Sequence, residues 1–508
     1  MSSGAKQSHE RPINGSSGED LDGDGRYQMP KLLSVGPYYV ICILVLTAAI
    51  GVVLLIAPEL LQMPEVALGF GLAPLAVSLA LTCPVLLCTL FMIISYFRIH
   101  EAFPVLYPLH LPLALAILSL MSVLIHMVGG QVRFTWRPPL KFLIALFVFV
   151  VVSCVTSTDQ LTSRTTLGDL VKIFLMTFVI AWFFRKPAHF RFITRVVIIA
   201  GATIALVAID NYLTGFDLIG GRVRIGSALN SSIGDPNDLC LVLLFAWSFC
   251  LAVIVIRPSP VDCILGWIAT PALLWAMIVT HSRGGLIGVL AVFAIIGSQK
   301  WKSKSVMALI CLVLCVAILV VMVDNRGSSF GEDSAFDDSS QNRLNAWIAA
   351  IKMGISRPIW GVGLNTFRQN LWFYKTDNWA DYHDMVTHST WLTVLAEIGF
   401  PGFVAFIMMV ASTWRACRHN LLALECLNNG KVLKVVALGL MGGVGGFCAS
   451  GTFLSQAFTW PIYVFVGLTV SLSNYLDDLA NAPAKTPALP ERERRVLQRR
   501  PLGHEVIR

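Results

Sequence analysis

The residues of this chain best suited to chemistry are three arginines and one histidine. Arg222 and Arg224 stand among glycines in GGRVRIGS, Arg283 separates two apolar runs in IVTHSRGGLIGVL, and His388 heads an apolar run in DYHDMVTHSTWL. Arginine offers rigid paired donors and stays charged at any relevant pH, which suits phosphate oxygens. Histidine titrates near neutrality, which suits proton transfer. An arginine at mid-bilayer would cost several kcal/mol, from roughly 3 upward. Arg283 therefore belongs at a membrane surface, either as an interfacial anchor whose stem lies along apolar neighbours or as a residue held there for a task. Asp235 and Asn237 flank Pro236 in GDPND, the pattern of a helix start, so capping alone accounts for them and they read as supporting groups. Asp384 precedes His388 by one helical turn and is placed to orient the imidazole. His383 is off the i,i+4 spacing that puts two metal ligands on one helix face, so no metal site is expected and His383 reads as a loop residue.

These residues need elements that bring them to one surface. Of 508 residues, 56% are hydrophobic and 13% charged, against about 25% charged in soluble domains. That deficit leaves no surface for a soluble globule and predicts an all-α polytopic membrane protein. The formal charge of +8 falls in short loops and the C-terminal tail, not on one basic face, which excludes a nucleic-acid partner. The twelve cysteines lie mostly inside apolar runs, with Cys417 and Cys426 in a polar loop; their spacing gives no disulfide framework and no metal pattern.

A helix crosses the bilayer with about 20 apolar residues. Spans are predicted at 38–57, 105–128, 139–157, 167–184, 191–213, 236–256, 262–280, 284–298, 306–323, 389–414, 432–450 and 458–475. The run 66–97 reads either as a hairpin broken near Pro84 or as one tilted helix. Basic loops prefer the cytoplasm, and the loops 185–191, 299–305 and 415–434 and the C-terminal tail can all be cytoplasmic at once. That places 214–235, the turn at 281–285 and the loop 324–387 together on the outer face. Five parts result: a polar, disordered tail at 1–37 without signal-peptide character, membrane helices over 38–323 including the loop 214–235, a large loop at 324–387, further helices at 388–475, and a basic cytoplasmic tail at 476–508. In the large loop, Leu344, Trp347, Ile348, Ile351 and Ile355 recur at helical spacing, predicting an amphipathic helix on the membrane surface. A cationic, partly desolvated site with a histidine at that surface fits a lipid-linked diphosphate, its tail in the bilayer and its anionic head at the interface.

THSRGGLIGVL, a long outer loop, RLNAWIAAIKMGISRPIWGVGLNTF and HSTWLTVLAEIGFPG, in that order over about 220 to 400, resemble the O-antigen ligase and O-antigen (exopolysaccharide) polymerase superfamily. The spans read above total about 12–14, and the resemblance implies a bacterial inner-membrane bundle of about twelve helices with a large periplasmic loop. It implies metal-independent transfer of a glycan from undecaprenyl diphosphate to a sugar hydroxyl, without a cofactor. The acceptor would be another glycan or a lipid A core, and polysaccharide export machinery is an expected partner. By the same resemblance, His388 is the candidate general base, and Arg283 the arginine of the Ser-Arg-Gly motif. Arg222 or Arg224 is the arginine of the earlier periplasmic loop, and Arg343 the one before the Trp-containing helix. His281 stands where a small residue is common and Ser389 where asparagine is frequent, which leaves the acceptor open. GDPND leans towards the polymerases. Two alternatives stand beside this reading: a protein O-oligosaccharyltransferase, and a permease of small anions. The latter would use ionisable residues within the spans, for which Lys172 and Glu397 are the candidates.

Overall fold

Proline placement starts many of the helices. Pro84, Pro138, Pro236 and Pro260 each open a helix, where a missing N–H costs nothing and the fixed φ already suits the first turn. The structure, a computed structural model, describes Ser78 and residues 82–99, 111–128, 135–214, 235–299, 334–376 and 385–481, apart from 426, 428 and 429. Everything described belongs to one compact unit beginning at Leu75. The expected tails, the spans at 38–57 and 306–323, most of the loop 214–235 and the first part of the run 66–97 lie outside the described residues.

Among the described residues the chain is helical and without strands. In order come α1 (Pro84–Tyr96), α2 (Leu111–Val128), α3 (Pro138–Val155), α4 (Gln160–Phe183), α5 (Pro187–Thr214), α6 (Pro236–Ile256), α7 (Pro260–Val279) and α8 (Arg283–Gly297). There follow α9 (Ser334–Ser356), α10 (Phe367–Tyr374), α11 (Thr390–Glu425), α12 (Lys431–Gly451) and α13 (Trp460–Ala480). Seven of these, α3 to α7, α11 and α12, are long and apolar enough to cross a membrane, while α1, α2 and α8 are shorter apolar helices. The molecule is thus an all-α polytopic membrane protein.

Helices α6, α12 and α13 form the centre, buried along most of their length. Helix α8 packs on α12 at glycine contact: a Cβ on Gly288 would overlap Ser450 Oγ and stand 3.1 Å from the Gly446 carbonyl oxygen. With no water to expel between spans, such close backbone approach is what holds membrane helices together.

The loops sort to two ends of the bundle. At one end Arg137 pairs with Asp477, Arg185 with Asp478 at 2.6 Å, and Arg195 with Asp262 at 2.5 Å. These bonds gather the starts of α3 and α7, the α4–α5 turn and the end of α13. At the other end lie the α3–α4 turn, the start of α6, the turn before α8, the helices α9 and α10, and the α12–α13 loop.

One element differs from the sequence expectation. Helix α11 runs on to Glu425, beyond the expected end near 414, and so buries Cys417 instead of leaving it in a loop. Its 36 residues would make a rod of about 54 Å, far longer than a bilayer core of about 30 Å. Gly399 breaks it, at φ 77°, a conformation open to glycine, just before Pro401 removes an intrahelical donor. Helix α9 covers the residues where an amphipathic helix was expected and turns its small face inward. Ala346, Ala349, Ala350 and Met353 are fully buried, with Phe367, Leu371 and Ala396 in the same cluster. Leu344, Ile351 and Ile355 remain 48%, 42% and 65% exposed, which leaves the large apolar residues pointing outward.

Candidate functional site

His388 sits two residues before the start of α11 with φ 48°, in the left-handed region that non-glycine residues enter at a cost. Bonds on both sides hold it there. The Thr387 carbonyl accepts from Trp347 Nε1 of α9 at 3.0 Å, and the Thr387 hydroxyl meets Ser455 Oγ at 2.8 Å and Thr393. Thr390 Oγ1 donates to the Leu454 carbonyl at 2.6 Å and accepts from the Gln456 amide at 3.1 Å. The histidine is therefore clamped between α9 and the α12–α13 loop.

Its electrostatic surroundings are mixed. Burial, first, and then the positive charge of Arg343 push the imidazole pKa down to about 4; Asp235 opposes this and Arg368 adds to it. Burial also lowers the pKa of Arg343, with Asp235 as the charge that offsets it. His388, Arg343, Arg368 and Asp235 thus form one interacting cluster, although they come from four separate stretches of chain. At neutral pH the imidazole is neutral and able to accept a proton.

Asp235 is also the N-cap of α6, where its Oδ1 accepts from the Asn237 backbone and side-chain nitrogens, both at 2.7 Å. The capping expected for GDPND is therefore present, and the same carboxylate faces the cluster. One turn on, Asp238 neighbours Gln456, whose Oε1 accepts from Thr459 Oγ1 at 2.5 Å.

Arg283 is the first residue of α8 and is exposed. Ser282 caps the helix by accepting from the Gly285 amide at 3.1 Å. A Cβ on Gly284 would stand 2.8 Å from Phe453 Cβ, and the Phe453 ring lies 6.3 Å from that of Trp347. The start of α8 and the helix carrying Arg343 thus meet through one aromatic pair. Of the other sequence candidates, Arg222, Arg224 and Asp384 lie outside the described residues.

The sequence reading passed over Asp238, Arg368 and Gln456. Asp238 was within reach, since it follows Asp235 by three residues on one helix face. Arg368 and Gln456 carried no signal, because only the tertiary fold relates α10 and the α12–α13 loop to the start of α11. The two ionisable residues singled out for a transport pathway are both engaged. Lys172 Nζ pairs with Asp169 at 2.9 Å, and the buried Glu397 carboxylate accepts from the Asn365 amide at 2.7 Å and the Phe367 amide at 3.3 Å.

Residues 268–407 match the family model described as O-antigen ligase, in line with the resemblance carried by the motifs of that stretch. The matched stretch runs from within α7 to within α11 and contains Arg283, Arg343 and His388. No curated protein matches the chain.

Proposed function

We propose, with the O-antigen ligase match as premise, that this chain is a glycosyltransferase-like membrane enzyme of surface polysaccharide synthesis. It moves a glycan from undecaprenyl diphosphate to a sugar hydroxyl on the periplasmic side of the bacterial inner membrane. The observation that carries the reading is the half-buried His388, held at φ 48° ahead of α11 with Arg343 among the charges acting on it, at the end of the bundle where α8 presents Arg283.

In this reading the acceptor hydroxyl oxygen attacks the anomeric carbon of the donor while His388 takes its proton. The carbon–oxygen bond to the diphosphate breaks, and the leaving group keeps the electron pair. Direct attack inverts the sugar carbon. Arg283 and Arg343, with Arg222 or Arg224, hold the diphosphate and offset its growing charge, the usual electrostatic route to rate. Asp235 balances Arg343 when the site is empty, and Asp384 and Asn237 support the histidine and the α6 cap. GDPND favours a polymerase, whose acceptor is a second lipid-linked repeat unit, over a ligase acting on lipid A core. A coupled transporter would need ionisable groups left available along a pathway, whereas Lys172 and Glu397 are tied up by local partners.

The test is surface and lipid-linked glycan in a deletion strain carrying wild type, Arg283→Ala or His388→Ala at matched protein levels. Single repeat units stranded on the lipid carrier in both variants support the polymerase. Full-length polymer stranded on the carrier assigns a ligase. Wild-type glycan from both variants would sink the assigned roles and return Arg283 to an interfacial anchor.

A further inference from the structure

Helix α11 does not cross the bilayer as one rod. Trp391 and Phe406 lie on either side of the break at Gly399, and a straight helix would hold them about 22 Å apart. Their ring centroids are 5.8 Å apart, so the first turns fold back and the span proper begins at Phe400. From Phe400 to Arg415, the next charged residue, the second half rises only about 22 Å. Helix α3 gives the same height independently. Ser153 Oγ donates to the Glu397 carbonyl at 2.6 Å. Pro138 to Ser153 is again about 22 Å, measured from the end where Arg137 pairs with Asp477. The hydrocarbon core is about 30 Å thick. The break in α11 therefore lies inside the apolar layer, short of its surface on the His388 side.

The turn between α9 and α10 packs at that depth. The Phe400 amide donates to the Pro358 carbonyl at 2.7 Å, and the Val362 and Gly363 amides donate to the Ala396 and Glu397 carbonyls at 2.9 and 3.1 Å. Thr158 donates to the Val362 carbonyl through its amide and its hydroxyl, both at 3.1 Å, and Ser163 Oγ donates to the Leu364 carbonyl at 2.8 Å. Non-helical backbone survives at membrane depth only where protein satisfies its polar groups, as it does here. Gly361 allows the close approach: at φ 68°, a Cβ would stand 2.3 Å from the Glu397 carbonyl carbon. The large apolar side chains of the turn, Ile355, Ile359 and Trp360, are left exposed beside Phe400. Phe400 in turn heads the exposed row Phe400, Val404 and Ile407 on α11, one face of a membrane helix. The turn thus continues a surface that already meets acyl chains. Its cation, Arg357, reaches the Thr156 carbonyl at 3.5 Å, so the stem can lie along the turn while the head stays at polar atoms. On α10, Lys375 Nζ stands 3.7 Å from the centre of the exposed Trp372 ring, an aromatic and a cation of the kind found at headgroup level.

We propose that the turn between α9 and α10 is a re-entrant segment, on which acyl chains of the leaflet at the His388 side pack against Ile355, Ile359, Trp360 and Phe400. The large loop is then not a lid free in water, since the bilayer anchors the end of α9, the helix that carries Arg343. This holds whatever reaction the site performs and whichever side of the membrane that leaflet faces.

Photo-crosslinking in native membranes tests the assignment. The full-length protein carrying Trp360→benzoylphenylalanine, or separately Ile359→benzoylphenylalanine, is irradiated in cells, purified and weighed by mass spectrometry. Val404→benzoylphenylalanine, on the exposed row of α11, is the reference for a lipid-facing position. Two turn positions are used so that one misfolded variant does not decide the result, and each is checked for a wild-type thermal midpoint in detergent. Both should gain the mass of one phospholipid in a yield comparable with the reference, and fragmentation should place the new bond on an acyl chain. Three results would overturn the proposal. Bonds confined to headgroups would leave the turn on the membrane surface. A crosslinked dimer would give the face to a second copy of the chain. No adduct at either turn position, with lipid captured at Val404, would put the turn in water.

Discussion

At the scale of single residues, the feature with the clearest consequence is the protonation of His388. A histidine in water titrates near 6.5, as a base half-lost at mildly acidic pH. Burial and Arg343 hold this one neutral down to about pH 4. The acid limb of kcat/KM reports the free enzyme, so transfer at low donor concentration should persist as pH falls from 7 and decline only near about 4. The sign of the Arg343 effect follows from Coulomb's law. Its positive charge disfavours the imidazolium, so Arg343→Gln removes a depressing influence and the limb should move up towards neutrality, alongside a lower overall rate. A wild-type limb near the ordinary histidine value, or a limb unmoved in Arg343→Gln, would mean that His388 is not the titrating base. Of the residues in this cluster, His388 was singled out as a histidine at the mouth of a span, Asp235 as a helix start and Arg343 through the family resemblance. Arg368 and Gln456 were not legible, since an arginine in a polar loop and a glutamine between two helices look like ordinary surface until folding relates α10 and the α12–α13 loop to the start of α11.

At the scale of elements, Arg283 is only as well placed as the helix that carries it, and α8 is placed by small residues. A Cβ on Gly285 would overlap Cys240 Sγ and stand 2.7 Å from Cys240 Cβ. Overpacking of this kind costs about 1–3 kcal/mol, and relief would come only by pushing α8 away from α6. Gly285→Ala should therefore lower the thermal unfolding midpoint in detergent and weaken transfer by displacing the Arg283 turn. Gly168→Ala is the control: nothing lies within 4 Å of the added methyl, and alanine favours a helix by roughly 0.5–1 kcal/mol over glycine, so the midpoint should hold or rise. Equal midpoints for the two variants would show that α8 and α6 do not pack this closely. Helix positions were readable from hydropathy, and α6 covers the span expected from it. Helix ends were not, where polar sequence continues the helix. RACRHNLLALE extends α11 because Cys417, Asn420, Leu421 and Leu424 face inward at helical spacing, a pattern that a search for uninterrupted apolar runs passes over. The inward small face of α9 was likewise hidden, because its large residues gave the louder periodic signal.

At the scale of the whole molecule, the proposed orientation rests on the basic turns at one end of the bundle. One end carries Arg137, Arg185, Lys186, Arg191, Arg195, Lys431 and Lys434 in or beside its turns. It also carries Asp262, Asp477 and Asp478, which pair with several of those cations. Acidic residues contribute little to the orienting bias, whereas lysine and arginine near span ends set it. The balance of acids and bases at that end therefore does not weaken the assignment to the cytoplasm. In the proposed reading the opposite end, with His388, Arg343 and Arg283, faces the periplasm, where a diphosphate head on a flipped lipid carrier would be presented. An alkaline phosphatase reporter, which is active only outside the cytoplasm, distinguishes the two arrangements directly. Fused after Ser157, in the α3–α4 turn, it should be active; fused after Lys186 or after Ser259, it should be silent. The inverse pattern would put the cluster on the cytoplasmic side, where no periplasmic transfer could use it, and the proposed reaction would fall with the orientation even if every residue in the site were correctly placed.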